Sequence, residues 1–138
     1  MHNFKRVSLA LMLWTGLAGA GRCGDMVVIV NKANTHTGDL ALVSKIFTGA
    51  QLSWADGTPI VALDQADNAA KSSFASMLGK STGSIKAAWA NLMFAGKATP
   101  PKVVDGDAEV KAAVAANKAA IGYINATAVD ASVKVLVK

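Results

Sequence analysis

Arginine is almost missing from this chain. Arg6 and Arg22 are the only two, and both precede the single cysteine, Cys23. Beyond that point the chain lacks the planar guanidinium fork that grips phosphate or carboxylate through two parallel hydrogen bonds. One cysteine excludes an intramolecular disulfide, even in an oxidising compartment. Histidine is as scarce, with His2 near the start and His36 further in. One cysteine and one internal histidine cannot build a Cys/His zinc site within one chain. Glutamate occurs once, at Glu109, and no Gly-x-Gly-x-x-Gly fingerprint is present. This is poor equipment for acid–base or nucleophilic chemistry, so the chain is expected not to be an enzyme and to need no cofactor. Lysines are scattered rather than interleaved with aromatics, and nucleic acid is not an expected partner.

Two motif fragments look chemical and are not. Gly79-Lys80-Ser81-Thr82-Gly83 has the letters of a nucleophile elbow, but an elbow needs a preceding strand and this pattern joins two predicted helices. The same Gly79-Lys80-Ser81 resembles the end of a phosphate-cradling loop. That loop's first glycine is absent, because Phe74 stands in its place. A helix cap and turn is the better reading.

What is present begins with an export signal. Lys5 and Arg6 form a positive start, Val7 to Leu17 is mostly apolar, and Ala18-Gly19-Ala20 offers small residues for cleavage. The apolar stretch is shorter than the roughly 20 residues of a membrane-spanning helix. Residues 1–23 are therefore expected to be a signal peptide cut near 20–24, leaving 24–138 as one exported domain. Lipidation of Cys23 is disfavoured by Arg22, since a small residue normally precedes a lipidated cysteine. Three of the positive charges behind the formal net charge of +5 belong to this leader.

The body alternates strand-like and helix-like segments. Met26 to Val30 is a continuous apolar run that reads as a strand buried on both faces, as in a parallel sheet covered by helices. After a polar loop from Asn31 to Asp39, residues Leu40, Val43, Ile46 and Phe47 recur at helical spacing, with Gly49 as terminator. Asp56-Gly57 marks a turn before the apolar run 59–63. Helices are expected over 67–78 and again from Ser81 or Thr82, the second with an inward stripe of Ile85, Trp89, Leu92 and Met93. Pro100-Pro101 forces an extended turn. A last helix opens on Asp105-Gly106-Asp107-Ala108-Glu109 with Val110 and Val114 inward, and strands follow at 120–124 and 133–137. In the former strand, Gly122 suits a close helix approach, and Tyr123 a packed ring whose hydroxyl needs a partner. The fold class expected is α/β, a three-layer sandwich around a mixed, mainly parallel sheet.

Several of these segments, taken in order, resemble a known family. They are Ile46-Phe47-Thr48-Gly49, the run from Trp54-Ala55-Asp56-Gly57-Thr58-Pro59 to Asp64, Leu78-Gly79, Trp89 to Gly96 with Pro100-Pro101, and Ala119-Ala120-Ile121-Gly122-Tyr123-Ile124. The pattern resembles small, single-lobe phosphate ABC transporter substrate-binding-like proteins, whose domain is similar to one lobe of a type 2 periplasmic binding protein. The resemblance implies a periplasmic solute-binding-like function tied to phosphate or a similar oxyanion, in transport or sensing. It implies an inner-membrane ABC permease or sensor as a further partner. Full-length relatives carry a Ser-Gly-Thr anion box at a helix start and an arginine. Here the matching loop offers Asn68-Ala69-Ala70-Lys71 and no arginine. The alternative is an interaction module that binds a membrane transporter or sensor and no small molecule.

Anions in open α/β sheets are met by helix N-termini beyond the carboxyl ends of strands. Two strand-to-helix loops have that placement in sequence. Asn34, Thr35 and Thr37 in the first, with Asn68 and Ser72 in the second, are the expected ligand-binding residues. They are expected to face one shared polar hollow at one rim of the sheet.

Overall fold

The computed structural model describes residues 25–137, so the expected signal peptide and Cys23 lie outside the described residues. Strand β1 covers Met26–Asn31, helix α1 Leu40–Phe47, β2 Val61–Gln65, α2 Ala69–Met77 and α3 Thr82–Phe94. The short strand β3 spans Lys102–Val104, followed by α4 at Asp107–Ala116, β4 at Ala120–Asn125, a 3-10 turn at Ala126–Ala128 and β5 at Val133–Val137.

The five strands form one sheet in the order β3-β2-β4-β1-β5. Strand β2 pairs in parallel with β3 and with β4. Strand β1 pairs antiparallel with both β4 and β5. The sheet is mixed, as expected, but its most buried strand runs against its neighbours. A continuous apolar run reports burial on both faces; it carries no information on direction, which depends on hydrogen-bonding partners distant in sequence.

Strand alternation sorts the core into two layers. On one face Met26, Val28 and Val30 of β1, with Ile121 and Tyr123 of β4, pack against Val43, Ile46 and Phe47 of α1 and Phe74 of α2. On the other, Val27, Ile29, Ala120 and Ile124 pack against Val110 and Val114 of α4. Helices on both faces make the three-layer α/β sandwich. Gly122 points its missing side chain at α4: a Cβ there would lie 2.5 Å from Val110 Cγ1. That contact explains the glycine.

Local signals placed the helix ends well. Ser81 caps α3 in a reciprocal pair with Ser84, so the Gly79-Lys80-Ser81 fragment is a cap and turn. Gly49 adopts φ +82° where α3 crosses it closely. Strand β3 was not anticipated: three residues after a Pro-Pro pair carry almost no periodic signal, and pairing with β2 makes them a strand. The expected stripe on α3 is only partly inward. Trp89 is buried and donates from Nε1 to Phe47 O at 2.8 Å, whereas Met93 is half exposed. One residue on from half-buried Leu92, Met93 turns about 100° around the helix and leaves the protein.

Candidate functional site

Parallel strands β2 and β4 end side by side, and their carboxyl ends carry a dense polar cluster. Gln65, only 1% exposed, closes β2. Its Nε2 donates to Tyr123 O and to Asp107 Oδ1, both at 2.9 Å, and its Oε1 accepts from Asn68 Nδ2 at 3.0 Å. The Gln65 amide meets Tyr123 Oη at 3.1 Å and Asp64 Oδ1 at 2.9 Å. Tyr123 in turn donates its hydroxyl proton to Asp64 Oδ1. Burial and this carboxylate hold the phenol protonated far above its ordinary range. Its ring stacks on Phe74, with centroids 3.9 Å apart and planes 6° from parallel, which fixes the hydroxyl's position.

Helix starts flank the cluster. At α2, Asn68 Oδ1 accepts from the Lys71 amide at 2.9 Å, so the cap residue occupies one first-turn donor itself. Amides of Ala69 and Ala70 have no intrahelical acceptor, as at any helix start. Lys71 Nζ lies 3.5 Å from Asp64 and 3.6 Å from Asp67. At α4 the first turn holds Asp107 and Glu109, and Asp107 Oδ2 accepts from the Asn125 amide at 3.2 Å. Carboxylates thus sit where an incoming anion would seek the positive end of that helix. Among the described residues no group of acidic, histidine or cysteine side chains is arranged to hold a metal ion.

Asn34, Thr35 and Thr37 are elsewhere. Register places Asn31 of β1 level with Ala120 at the start of β4, while Gln65 ends β2 near the finish of β4. The loop after β1 and the loop after β2 therefore lie at opposite rims of the sheet, and no shared hollow joins them. The reversal of β1 causes this, since carboxyl ends of antiparallel strands point apart. Asn34 Oδ1 accepts from the His36 amide at 2.8 Å, forming a local turn, and its buried Nδ2 has no partner among the described residues. Thr35 and Thr37 are exposed. Asp39 caps α1 through the Leu42 amide.

The same rim holds contacts that sequence reading missed. His36 stacks on Trp54, with centroids 4.9 Å apart, and lies 3.5 Å from Asp56. Trp54 donates from Nε1 to Ala119 O at 3.0 Å. Asn31 ties β1 to the end of α4 by donating to Val114 O and Ala115 O. No local pattern links residues this far apart. On the carboxyl rim, Gln65 and Asp107 were likewise not anticipated, although the expectation that the Tyr123 hydroxyl needs a partner pointed there.

No protein-family model matches the chain, and no significant match to a curated protein exists. Solved structures do match. An ABC-type phosphate transport receptor from Vibrio cholerae superposes with a TM-score of 0.64 at 22% identity, covering 81% of this chain and 45% of the receptor. A Clostridium perfringens protein described as a phosphate ABC transporter substrate-binding protein, solved with bound phosphate, gives 0.65 at 24% identity and covers 82% of this chain and 44% of its own. A possible phosphate binding protein from Planctomyces limnophilus gives 0.58 at 17% identity. These neighbours are binding proteins. The chain spans less than half their length, and its mixed five-stranded α/β sandwich has the fold of one part of these phosphate-transport proteins.

Proposed function

We propose that this chain is a non-enzymatic, solute-binding-like domain serving phosphate or a similar oxyanion, and that it acts in the periplasm with an ABC permease or sensor. The observation that carries this reading is the superposition on phosphate-transport binding proteins over about four-fifths of the chain, one of them with phosphate bound. Within that frame the oxyanion would meet the start of α2. There Asn68, Ser72, the first-turn amides and the Lys71 ammonium supply donors. Asp64, 3.5 Å from Lys71, would favour a protonated oxyanion that can donate to it. Asn34, Thr35 and Thr37, at the other rim, would form no part of that contact. Calorimetric titration of phosphate at low salt tests the reading: heat that Asn68→Ala and Ser72→Ala each reduce supports it, and no heat with phosphate or sulfate removes it.

A specific observation favours a second reading, an interaction module without a small-molecule ligand. Both candidate helix starts are capped by their own side chains, Asp39 and Asn68. It predicts that permease or sensor binding survives Asn68→Ala unchanged, while phosphate gives no thermal shift.

A further inference from the structure

Helix α3 is apolar on the side that should be wet. Inward, Trp89 is buried; outward, Phe94 is 96% exposed and Met93 50%. Between them and the helix start, Ala87 and Ala90 also face solvent. Ser84, Lys86 and Asn91 interrupt this face, so its uncovered apolar surface is concentrated at the C-terminal tip of the helix. The exposed end is held rigidly rather than frayed. The Gly96 amide donates to Met93 O at 3.0 Å and the Lys97 amide to Leu92 O at 2.9 Å, with Gly96 at φ +68° closing the last turn.

Charge decides what that something is. From Asn68 to Val104 the chain carries five lysines and no aspartate or glutamate. Lys71 is neutralised by Asp64 and Asp67, but Lys80, Lys86, Lys97 and Lys102 are exposed and form no ion pair among the described residues. Lys86 and Met93 fall at i and i+7 on one stripe of α3, and Lys97 follows just past the helix end, beyond Gly96, so cations precede and follow the apolar tip along the chain. Pairing with a second copy through this face would set lysine against lysine. A protein partner of opposite charge is the next choice; phenylalanine and methionine suit a protein interface, but lysine is depleted there. This surface has lysine only, as do polybasic segments that rest on anionic lipid. A protruding phenylalanine and methionine flanked by lysine is the arrangement of side chains that enter the headgroup layer while cations stay at the phosphates.

We propose that the outward face of α3 docks this protein reversibly on an anionic phospholipid surface, with Phe94 and Met93 inserted and Lys86 and Lys97 against the headgroups. This is independent of any solute bound at the sheet rim. The test is co-sedimentation of the full chain with vesicles of phosphatidylglycerol and phosphatidylethanolamine, compared with phosphatidylcholine alone, at low and high salt. Binding is expected to the anionic vesicles only and to weaken as salt rises. Lys86→Gln and Lys97→Gln are each expected to weaken it about fivefold, and Phe94→Ser at least about tenfold. All three residues are exposed, so thermal unfolding should stay within a few degrees of the parent. Equal binding to neutral vesicles, or variants that bind like the parent, would overturn the proposal by assigning attachment to another part of the chain. A dimer in analytical ultracentrifugation that Phe94→Ser dissociates would overturn it in favour of a second copy, and a purified acidic protein protecting the α3 face from hydrogen exchange would do so in favour of a protein partner.

Discussion

Tyr123 is the only tyrosine in the chain, and its environment makes a clean measurement available. Its phenol is held protonated by burial first and by the Asp64 carboxylate second. In the unfolded chain it would ionise near its ordinary value of about 10. A folded-state value above the unfolded one means that its contribution to stability is complete below that pH. The contribution falls as pH rises further, because only the unfolded chain then releases the proton. Phenolate absorbance should therefore appear only together with unfolding, and Tyr123→Phe should flatten the alkaline limb of the stability curve. The same substitution leaves the Gln65 amide and Asp64 one partner short and is expected to cost about 1–3 kcal/mol at neutral pH, read from denaturant melts. Gly122→Ala forces a methyl against Val110, 2.5 Å away, and should cost about 1–3 kcal/mol by the same measurement. Both residues were legible beforehand, one as a close approach and the other as a ring with a hydroxyl to satisfy. Asn31 and His36 were not, because their partners, Val114 O and the Trp54 ring, are remote in the chain.

At the scale of elements, helix starts and stops were written in short windows and were readable there. Ser81→Ala breaks the reciprocal cap of α3 and is expected to lower stability by about 0.5–2 kcal/mol, measurable as a shift of the denaturant midpoint with unchanged slope. The strands expected at 26–30 and 120–124 declared themselves by unbroken apolar runs, and the one at 133–137 by a valine-rich run interrupted by Lys134. Strand β3 did not, since Lys102–Val104 becomes a strand only through pairing with Leu63–Gln65. Helix α3 shows the converse limit. The spacing predicts an inner stripe of Ile85, Trp89, Leu92 and Met93, but Met93 is on the outside, beside Phe94. Hydrophobicity at helical spacing reports that a surface is apolar without saying what covers it.

For the molecule as a whole, the direction of β1 separates two loops that sequence order had put together. Substitutions at Thr35 or Thr37 and at Asn68 or Ser72 should consequently act independently. A Thr35→Ala/Ser72→Ala double variant is expected to show additive changes in stability and in any phosphate affinity, within about 0.5 kcal/mol, in a double-mutant cycle. Coupling beyond that would mean that the two rims communicate. The shared α/β sandwich with phosphate-transport proteins was legible from ordered segments spread along the chain, and the superpositions agree with it. The polar cluster of Asp64, Gln65, Asn68, Asp107 and Tyr123 was not, because it is gathered from four elements.

By itself the sequence determined which segments other than β3 become strand or helix, where the helices are capped, and that little catalytic equipment is present. Those properties reside in neighbouring residues, in caps, glycines and apolar periods spanning a few turns. Tertiary structure alone decided that β1 runs against β4 and β5, that the two polar loops sit at opposite rims, and that Phe94 faces outward. Strand direction and the covering of a face are set by hydrogen bonds and contacts between distant segments, and these have no local signature.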